Sequence, residues 1–178
     1  MKLILSLFII LGSTVLMSSA CARTFDSNQH SPIGQTVDQS EKISEQTNPQ
    51  LPTVQIQIAD QTITAEVAST QKQKERGLSY RKSLEPNSGM LFDFSNQPKF
   101  IPSFWMKGMN FDLDLIWIED QTIIDISHQV TAPSSNQIPN NQLPTYSPSK
   151  AVNFVLEVPS GWAQQHNIDV GQTIEIKN

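Results

Sequence analysis

The sequence predicts an all-β protein, a compact single-domain β-sandwich or small barrel with one or two short helices. At least seven short apolar segments are separated by turn-forming residues, and few segments have the 3.6-residue period of a helix. Residues 51–178 are numerous enough to build one hydrophobic core, and a single domain is the default for a chain of this length.

The domain is predicted to begin with a β-hairpin. Residues 54–58, VQIQI, alternate between apolar and polar side chains, as a strand with one solvated face does. Residues 59–61 are predicted to turn the chain, and residues 63–67, ITAEV, then return alongside the first strand.

A short helix is predicted after the hairpin. Thr70 and Gln73 have the spacing of a capping box, in which each side chain bonds to the other residue's backbone N–H. Gly77 then provides a stop signal. The remaining elements are predicted to be strands at residues 89–94, 104–106, 111–118, 122–126, 152–158 and 173–176, with one or two helical turns at residues 160–166.

One segment interrupts this series of strands. Residues 131–150 contain four prolines and almost no apolar periodicity. Loops of this length inside compact domains are usually functional lids or disordered insertions, and the sequence leaves both alternatives open. Tyr146 is the one side chain of the segment that is able to stack on a ligand.

The N-terminus resembles an export signal. Residues 1–22 contain a basic start, an apolar run that is short for a membrane-spanning helix, and a patch of small residues, which is typical of a signal peptide. Cys21 follows Ala20 as in a bacterial lipobox, so lipidation of Cys21 is expected; the alternative is cleavage after the small residues 20–22, which removes Cys21 with the signal. Residues 23–50 are polar and aperiodic and are predicted to form a flexible tether. The predicted location is therefore extracytoplasmic, with membrane contact only through the lipid.

Charge and cysteine content exclude several classes of partner. The formal net charge is −5, and the basic residues are scattered, so no nucleic-acid partner is expected. A single cysteine excludes an internal disulfide and a zinc site built on several cysteines. No phosphate-binding glycine-rich loop is present, and the sequence predicts a monomer without a metal or other cofactor.

Five short motifs stand in one order along the chain: RGL at 76–78, GMLF at 89–92, FWMKGM at 104–109, DLIWI at 114–118 and VLEVPSG at 155–161. In these motifs the chain resembles the domain of unknown function 192 family of bacteria and archaea. The resemblance implies a compact β-rich domain, often exported, with no agreed activity. Ser79, Asp112 and Gly171-Gln172 depart from residues common in the family.

The candidate binding residues are polar side chains on otherwise apolar strands. Asp114 and Glu157 each share a strand face with apolar neighbours, and a buried carboxylate needs a partner. We therefore expect Lys107, Asp114 and Glu157, together with Arg76, to converge beside Trp105. A structural ion pair between strands is the alternative interpretation.

These residues favour a non-enzymatic binding or accessory module for a small polar or carbohydrate-like ligand, with Tyr146 contributed by the long loop. Two alternatives remain. The domain is a protein-interaction module that uses residues 131–150, or it is an envelope glycan hydrolase in which Asp114 and Glu157 are the acid and base.

Overall fold

The structure is a computed structural model that describes residues 50–177. The predicted signal at 1–22, with Cys21, lies outside the described residues, as does the predicted tether at 23–50 except for its last residue. Between residues 50 and 177 no helix has the length and apolar character that crossing a bilayer requires.

Nine strands and two short α-helices make up the described domain, and they confirm the prediction of a compact all-β fold. The elements are β1 (Thr53–Ile58), β2 (Gln61–Ala68), α1 (Gln71–Arg76), β3 (Ser88–Asp93), β4 (Phe104–Trp105), β5 (Leu113–Glu119), β6 (Thr122–Val130), a 3-10 turn (Asn140–Gln142), β7 (Thr145–Tyr146), β8 (Phe154–Pro159), α2 (Trp162–Gln165) and β9 (Ile174–Lys177). Every predicted strand is present within a few residues of its expected bounds, and β7 is the strand that the sequence did not predict.

Seven strands form one sheet in the order β6-β5-β8-β3-β2-β1-β9, and β4 pairs separately with β7. The β2–β3 pair is parallel and the other pairs of the large sheet are antiparallel. Thr122, the first residue of β6, bridges to Thr173 beside β9, so the two edge strands meet at one end. The sheet therefore curls towards a small barrel, which protects part of its edges.

Both faces of this sheet are covered by protein. The cluster inside the curl contains residues from both edge strands, such as Ile123 and Ile174, together with Trp162 of α2. The cluster on the outer face contains Leu115 and Trp117 of β5. Burial on both faces explains why β5 is an almost continuous apolar run, since such a strand has no solvated side.

The outer face is covered by α1, β4, β7 and the loops between them. The predicted capping box of α1 is present, because Gln73 N donates to Thr70 Oγ1 and Thr70 N donates to Gln73 Oε1. In the segment 131–150, Leu143 and Pro148 are buried, and Ala132 and Tyr146 pack against the core cluster of the outer face. Residues 131–150 therefore belong to the layer that covers the outer face of the sheet.

Candidate functional site

A cavity of about 530 Å³ opens on the outer face of the sheet, between α1 and the segment that leads into β4. Five aromatic residues line it: Phe92, Phe94, Phe100, Phe104 and Trp105. Phe92 and Phe104 pack edge to face with their centroids 4.9 Å apart, and Trp105 is 45% exposed at the mouth. We call this space the aromatic cavity.

Glycine at the end of α1 shapes the wall of the aromatic cavity. Gly77 has a φ of +49°, which side-chain-bearing residues rarely adopt, and a Cβ at this position would lie 3.2 Å from the Phe92 ring. The absence of a side chain therefore lets the helix end approach the sheet closely.

Glu157 contributes a carboxyl group to the lining of the aromatic cavity. It lies on β8 opposite Met90 and is 7% exposed, and its Oε2 has no hydrogen-bond partner among the described residues. Burial raises the pKa of Glu157 to about 8, against a smaller lowering by the charge of Arg81. At neutral pH the side chain is therefore mainly a neutral carboxylic acid, able to donate one hydrogen bond.

Arg81, the cation that lowers the pKa of Glu157, forms an ion pair with a different acid, Glu66. Arg81 Nη2 donates to Glu66 Oε2 at 2.8 Å, and its Nη1 donates to Glu66 Oε1, which makes the pair bidentate. Glu66 and Glu157 both lie opposite Met90, on the two strands that flank β3. The hydrogen bond from Glu66 raises the pKa of Arg81, and burial opposes this effect. Arg81 thus stays charged beside Glu157 without bonding to it.

Lys74 contributes a cation to the lining of the aromatic cavity. Its Nζ lies 4.3 Å from the centre of the Phe94 ring, which is within the range of a cation–π contact. Loss of hydration lowers the pKa of Lys74, and the charge of Asp93 opposes this effect. Lys74 forms no salt bridge with any residue between 50 and 177.

The structure brings three of the predicted site residues to one place. Trp105, Arg76 and Glu157 all line the aromatic cavity. Lys107 lies just outside it, with its Nζ 5.4 Å from the centre of the Trp105 ring. Tyr146 pairs with Phe104 in the β4–β7 ladder and packs against the outer core, so it supports the wall from behind.

The expectation that Asp114 joins this group was wrong. On paired strands the register places Asp114 opposite Val158 and Leu115 opposite Glu157, so the two acids lie on opposite faces of the sheet. Both Asp114 oxygens accept hydrogen bonds from the backbone. Oδ1 accepts from Gln129 N and Gly161 N at 2.8 and 3.0 Å, and Oδ2 accepts from Ala163 N at 3.0 Å.

Asp114 therefore caps the start of α2 and fixes an irregular point of β6, where Gln129 has a positive φ. The proposed acid and base pair of Asp114 with Glu157 is excluded by this geometry, because two carboxylates on opposite faces of a sheet cannot flank one glycosidic bond. No group of three or more His, Cys, Asp or Glu in the described part of the chain is arranged to hold a metal ion.

Sequence reasoning missed Lys74, Phe94 and the Glu66–Arg81 pair. One signal was available for Lys74, since it lies one turn after Gln71 and so shares a face of α1 with it, and both line the aromatic cavity. The Glu66–Arg81 contact joins residues 15 positions apart and has no local signature.

Comparisons with solved structures agree with the fold. The chain is 28% identical to a Sinorhizobium meliloti 1021 protein, described as a "putative transcription regulator", with a TM-score of 0.59 and coverage of 70% of this chain and 92% of that one. It is 22% identical to a protein of unknown function from Novosphingobium aromaticivorans DSM 12444, with a TM-score of 0.58 and coverage of 69% and 83%. No match was found among curated proteins.

The family model for the domain of unknown function 192, DUF192, described as uncharacterized ACR, matches residues 54–176. This range spans β1 to β9 and contains all the motifs on which the resemblance was based. The chain belongs to the domain of unknown function 192 family.

Proposed function

We propose that the domain is a non-enzymatic binding module whose aromatic cavity takes a small polar, carbohydrate-like ligand. The observation that carries this proposal is the buried Oε2 of Glu157, a residue of the lining, which has no hydrogen-bond partner among residues 50–177. A buried polar atom without a partner costs free energy, and a bound ligand oxygen would remove that cost.

The size and lining of the cavity support this ligand class. Its volume of about 530 Å³ lies within the range of small-molecule sites, which are mostly apolar with a few polar groups that orient the ligand. Trp105, which is 45% exposed in the lining, offers stacking surface for the apolar side of a sugar ring, and Glu157 offers one hydrogen bond to a ring substituent.

The lining favours binding over catalysis. Glu157 and Glu75 are the acids that line the cavity, and Glu75 is an exposed residue of α1 that accepts from Gln71 Nε2. Glycoside hydrolysis generally needs two carboxyl groups on either side of the scissile bond. One neutral acid in an aromatic wall is better suited to recognition.

In this proposal the domain is exported, is anchored through a lipid on Cys21, and acts as a monomer at the cell envelope. The signal-like pattern of residues 1–22 and the polar segment 23–50 support this location. The acidic net charge of −5 is a reason not to carry the description of the Sinorhizobium protein as a regulator of transcription over to this chain.

The protein-interaction alternative, based on residues 131–150, stays a prediction. The buried Leu143 and Pro148 and the half-buried Tyr146 are already in use within the domain. The apolar side chains of this segment that stay exposed are Pro139 and Pro144.

The proposal is tested by a thermal-shift panel of monosaccharides, disaccharides and peptidoglycan fragments with the purified protein. A ligand that binds only the folded state at ten times its Kd stabilises it by about 1.4 kcal/mol, which raises the Tm by a few degrees. Ser103→Trp should obstruct the cavity and abolish the shift, because Ser103 is an exposed residue of its lining.

The matched control is Ser134→Trp, at an exposed position that does not line the cavity, and it should keep the shift. A saturable shift that survives Ser103→Trp would move the binding site elsewhere. The absence of any shift across the panel would overturn the proposal.

A further inference from the structure

We propose that the ligand of the aromatic cavity is an acidic sugar of about two rings, held by its carboxylate at Lys74 and by a hydrogen bond from Glu157. The inference rests on the proposed function and names the ligand class of the same site.

The first step is the balance of charge in the lining. Lys74 and Arg76 are cations, Glu75 is an anion, Arg76 and Glu75 are both exposed whereas Lys74 is half-buried, and Glu157 is mainly uncharged at neutral pH. Neither Lys74 nor Arg76 forms a salt bridge with a residue in the described range. The cavity is therefore a cationic site in an acidic protein, and it attracts an anion in preference to a cation.

The second step is the state of Lys74. Lys74 is half-buried and has lost hydration, its Nζ lies over Phe94, and the charge of Asp93 acts on it, but no carboxylate of the described chain lies within salt-bridge distance of it. Other cations differ in this respect, since Arg81 is paired with Glu66 and Lys99 with Glu119 and Asp120. A ligand carboxylate at Lys74 would supply the missing partner through charge-assisted hydrogen bonds.

The third step is the orientation that Glu157 imposes. A neutral carboxyl group donates one hydrogen bond, and the Oε2 of Glu157 has no acceptor or donor beside it in the described chain. Hydroxyl and ring oxygens of a sugar accept such a bond. A ligand cation would instead lie beside the lining cations Lys74 and Arg76 and would gain no ion pair from a neutral Glu157.

The fourth step is the length of the ligand. Glu157 lies opposite Met90, whereas Lys74 lies over Phe94, four residues further along the same chain. Four residues of extended chain span roughly 13 Å. The backbone positions of Met90 and Phe94, which mark the places of the two groups along the cavity, are thus farther apart than one sugar ring is long, and two linked rings match this spacing. Phe92 lies between the two groups, where it faces the middle of such a ligand.

The test compares three β-1,4-linked disaccharides of the same backbone by isothermal titration calorimetry at pH 7: cellobiose, cellobiouronate and the chitosan dimer. They are neutral, anionic and cationic. We expect cellobiouronate to bind at least about tenfold more tightly than cellobiose, because a hydrogen bond between charged groups is stronger than a neutral one. The chitosan dimer should bind more weakly than cellobiose.

The variant Lys74→Met keeps most of the apolar stem and removes the charge. It should reduce the affinity for cellobiouronate to the affinity that the same variant has for cellobiose. Lys72→Met, on the same helix but outside the cavity lining, is the control and should change neither affinity.

Equal affinities for cellobiose and cellobiouronate would overturn the inference while leaving the proposed function intact. Tightest binding of the chitosan dimer would also overturn it, because Glu157 would then act as a carboxylate counter-ion. If none of the three disaccharides binds, and the wider sugar panel also gives no thermal shift, both the proposed function and the inference are contradicted.

Discussion

Asp114 and Glu157 are one residue out of register on the neighbouring strands β5 and β8, and their carboxyl groups therefore lie on opposite faces of the sheet. Asp114 accepts three backbone hydrogen bonds inside the curl. Glu157 faces the aromatic cavity with one oxygen unpartnered. One acid thus stabilises the fold, and the other is the proposed recognition group, so the two roles are separable by mutation.

Asp114→Asn should destabilise the protein strongly. The amide replaces one acceptor oxygen with a donor, which leaves at least one of the backbone N–H groups of Gln129, Gly161 and Ala163 without a partner in a buried site. We expect a loss of about 2–4 kcal/mol in the free energy of unfolding, measured by urea denaturation at pH 7.

Asp112→Asn is the matched control. Asp112 is exposed and accepts one backbone hydrogen bond, from Ala132 N at 2.7 Å, so we expect a loss of about 1 kcal/mol or less. Folded Asp114→Asn protein should retain sugar binding, because Asp114 does not line the cavity. Loss of binding by folded Asp114→Asn would contradict the separation of the two roles.

The stability of the protein should fall as pH rises from about 4.5 to about 8. The pKa of Glu157 is raised from 4.5 to about 8 in the folded state, so between these values the folded protein binds one more proton at this site than the unfolded chain does. The contribution of the neutral acid is complete below pH 4.5 and is lost as pH rises through about 8. It amounts to a few kcal/mol.

Urea denaturation from pH 4.5 to 9 measures this slope. Glu157→Gln should remove it and should make the protein more stable than the wild type at pH 8, because the amide never ionises. Glu75→Gln, at an exposed lining position, should leave the slope unchanged. An identical slope in the wild type and Glu157→Gln would show that Glu157 is ionised in the folded protein at neutral pH.

The fold was predictable because its determinants are local. Alternation in residues 54–58 and 63–67 predicts both strands of the first hairpin, and the pairing of Thr70 with Gln73 predicts the start of α1. The strand β7 has two residues and is stabilised by its pairing with β4, so nothing in its own sequence predicts it.

The site was predictable only in part. Alternation gives the face on which Asp114 or Glu157 lies relative to its own strand, but not the register between β5 and β8, which are separated by 34 residues of chain. A shift of one residue decides whether the two acids meet. The aromatic cavity could not be predicted from the sequence either, because Phe92 and Phe104, which line it, occupy apolar strand positions like those of ordinary core residues.

Cys21→Ser should abolish lipid attachment. Cys21 is the single cysteine of the chain and follows a signal-like segment, so it is the expected site of acylation. The measurement is incorporation of labelled palmitate in a bacterial host, followed by membrane fractionation. The wild type should be labelled and sediment with membranes, whereas Cys21→Ser should be unlabelled. An unlabelled wild type that is released in soluble form would favour removal of Cys21 with the signal.

The charge of Arg81 should control the pKa of Glu157 in a predictable direction. Arg81 lowers this pKa through space, so Arg81→Met should raise it above about 8. Glu66→Gln removes the anion that balances Arg81 and should lower the pKa of Glu157.

The measurement is a carbon-13 NMR titration of the Glu157 carboxyl group. Lys99→Met, which breaks a surface ion pair with Glu119, is the control and should leave the titration unchanged. An unchanged titration of Glu157 in both Arg81→Met and Glu66→Gln would mean that desolvation alone sets this pKa and that the charge of Arg81 does not reach Glu157.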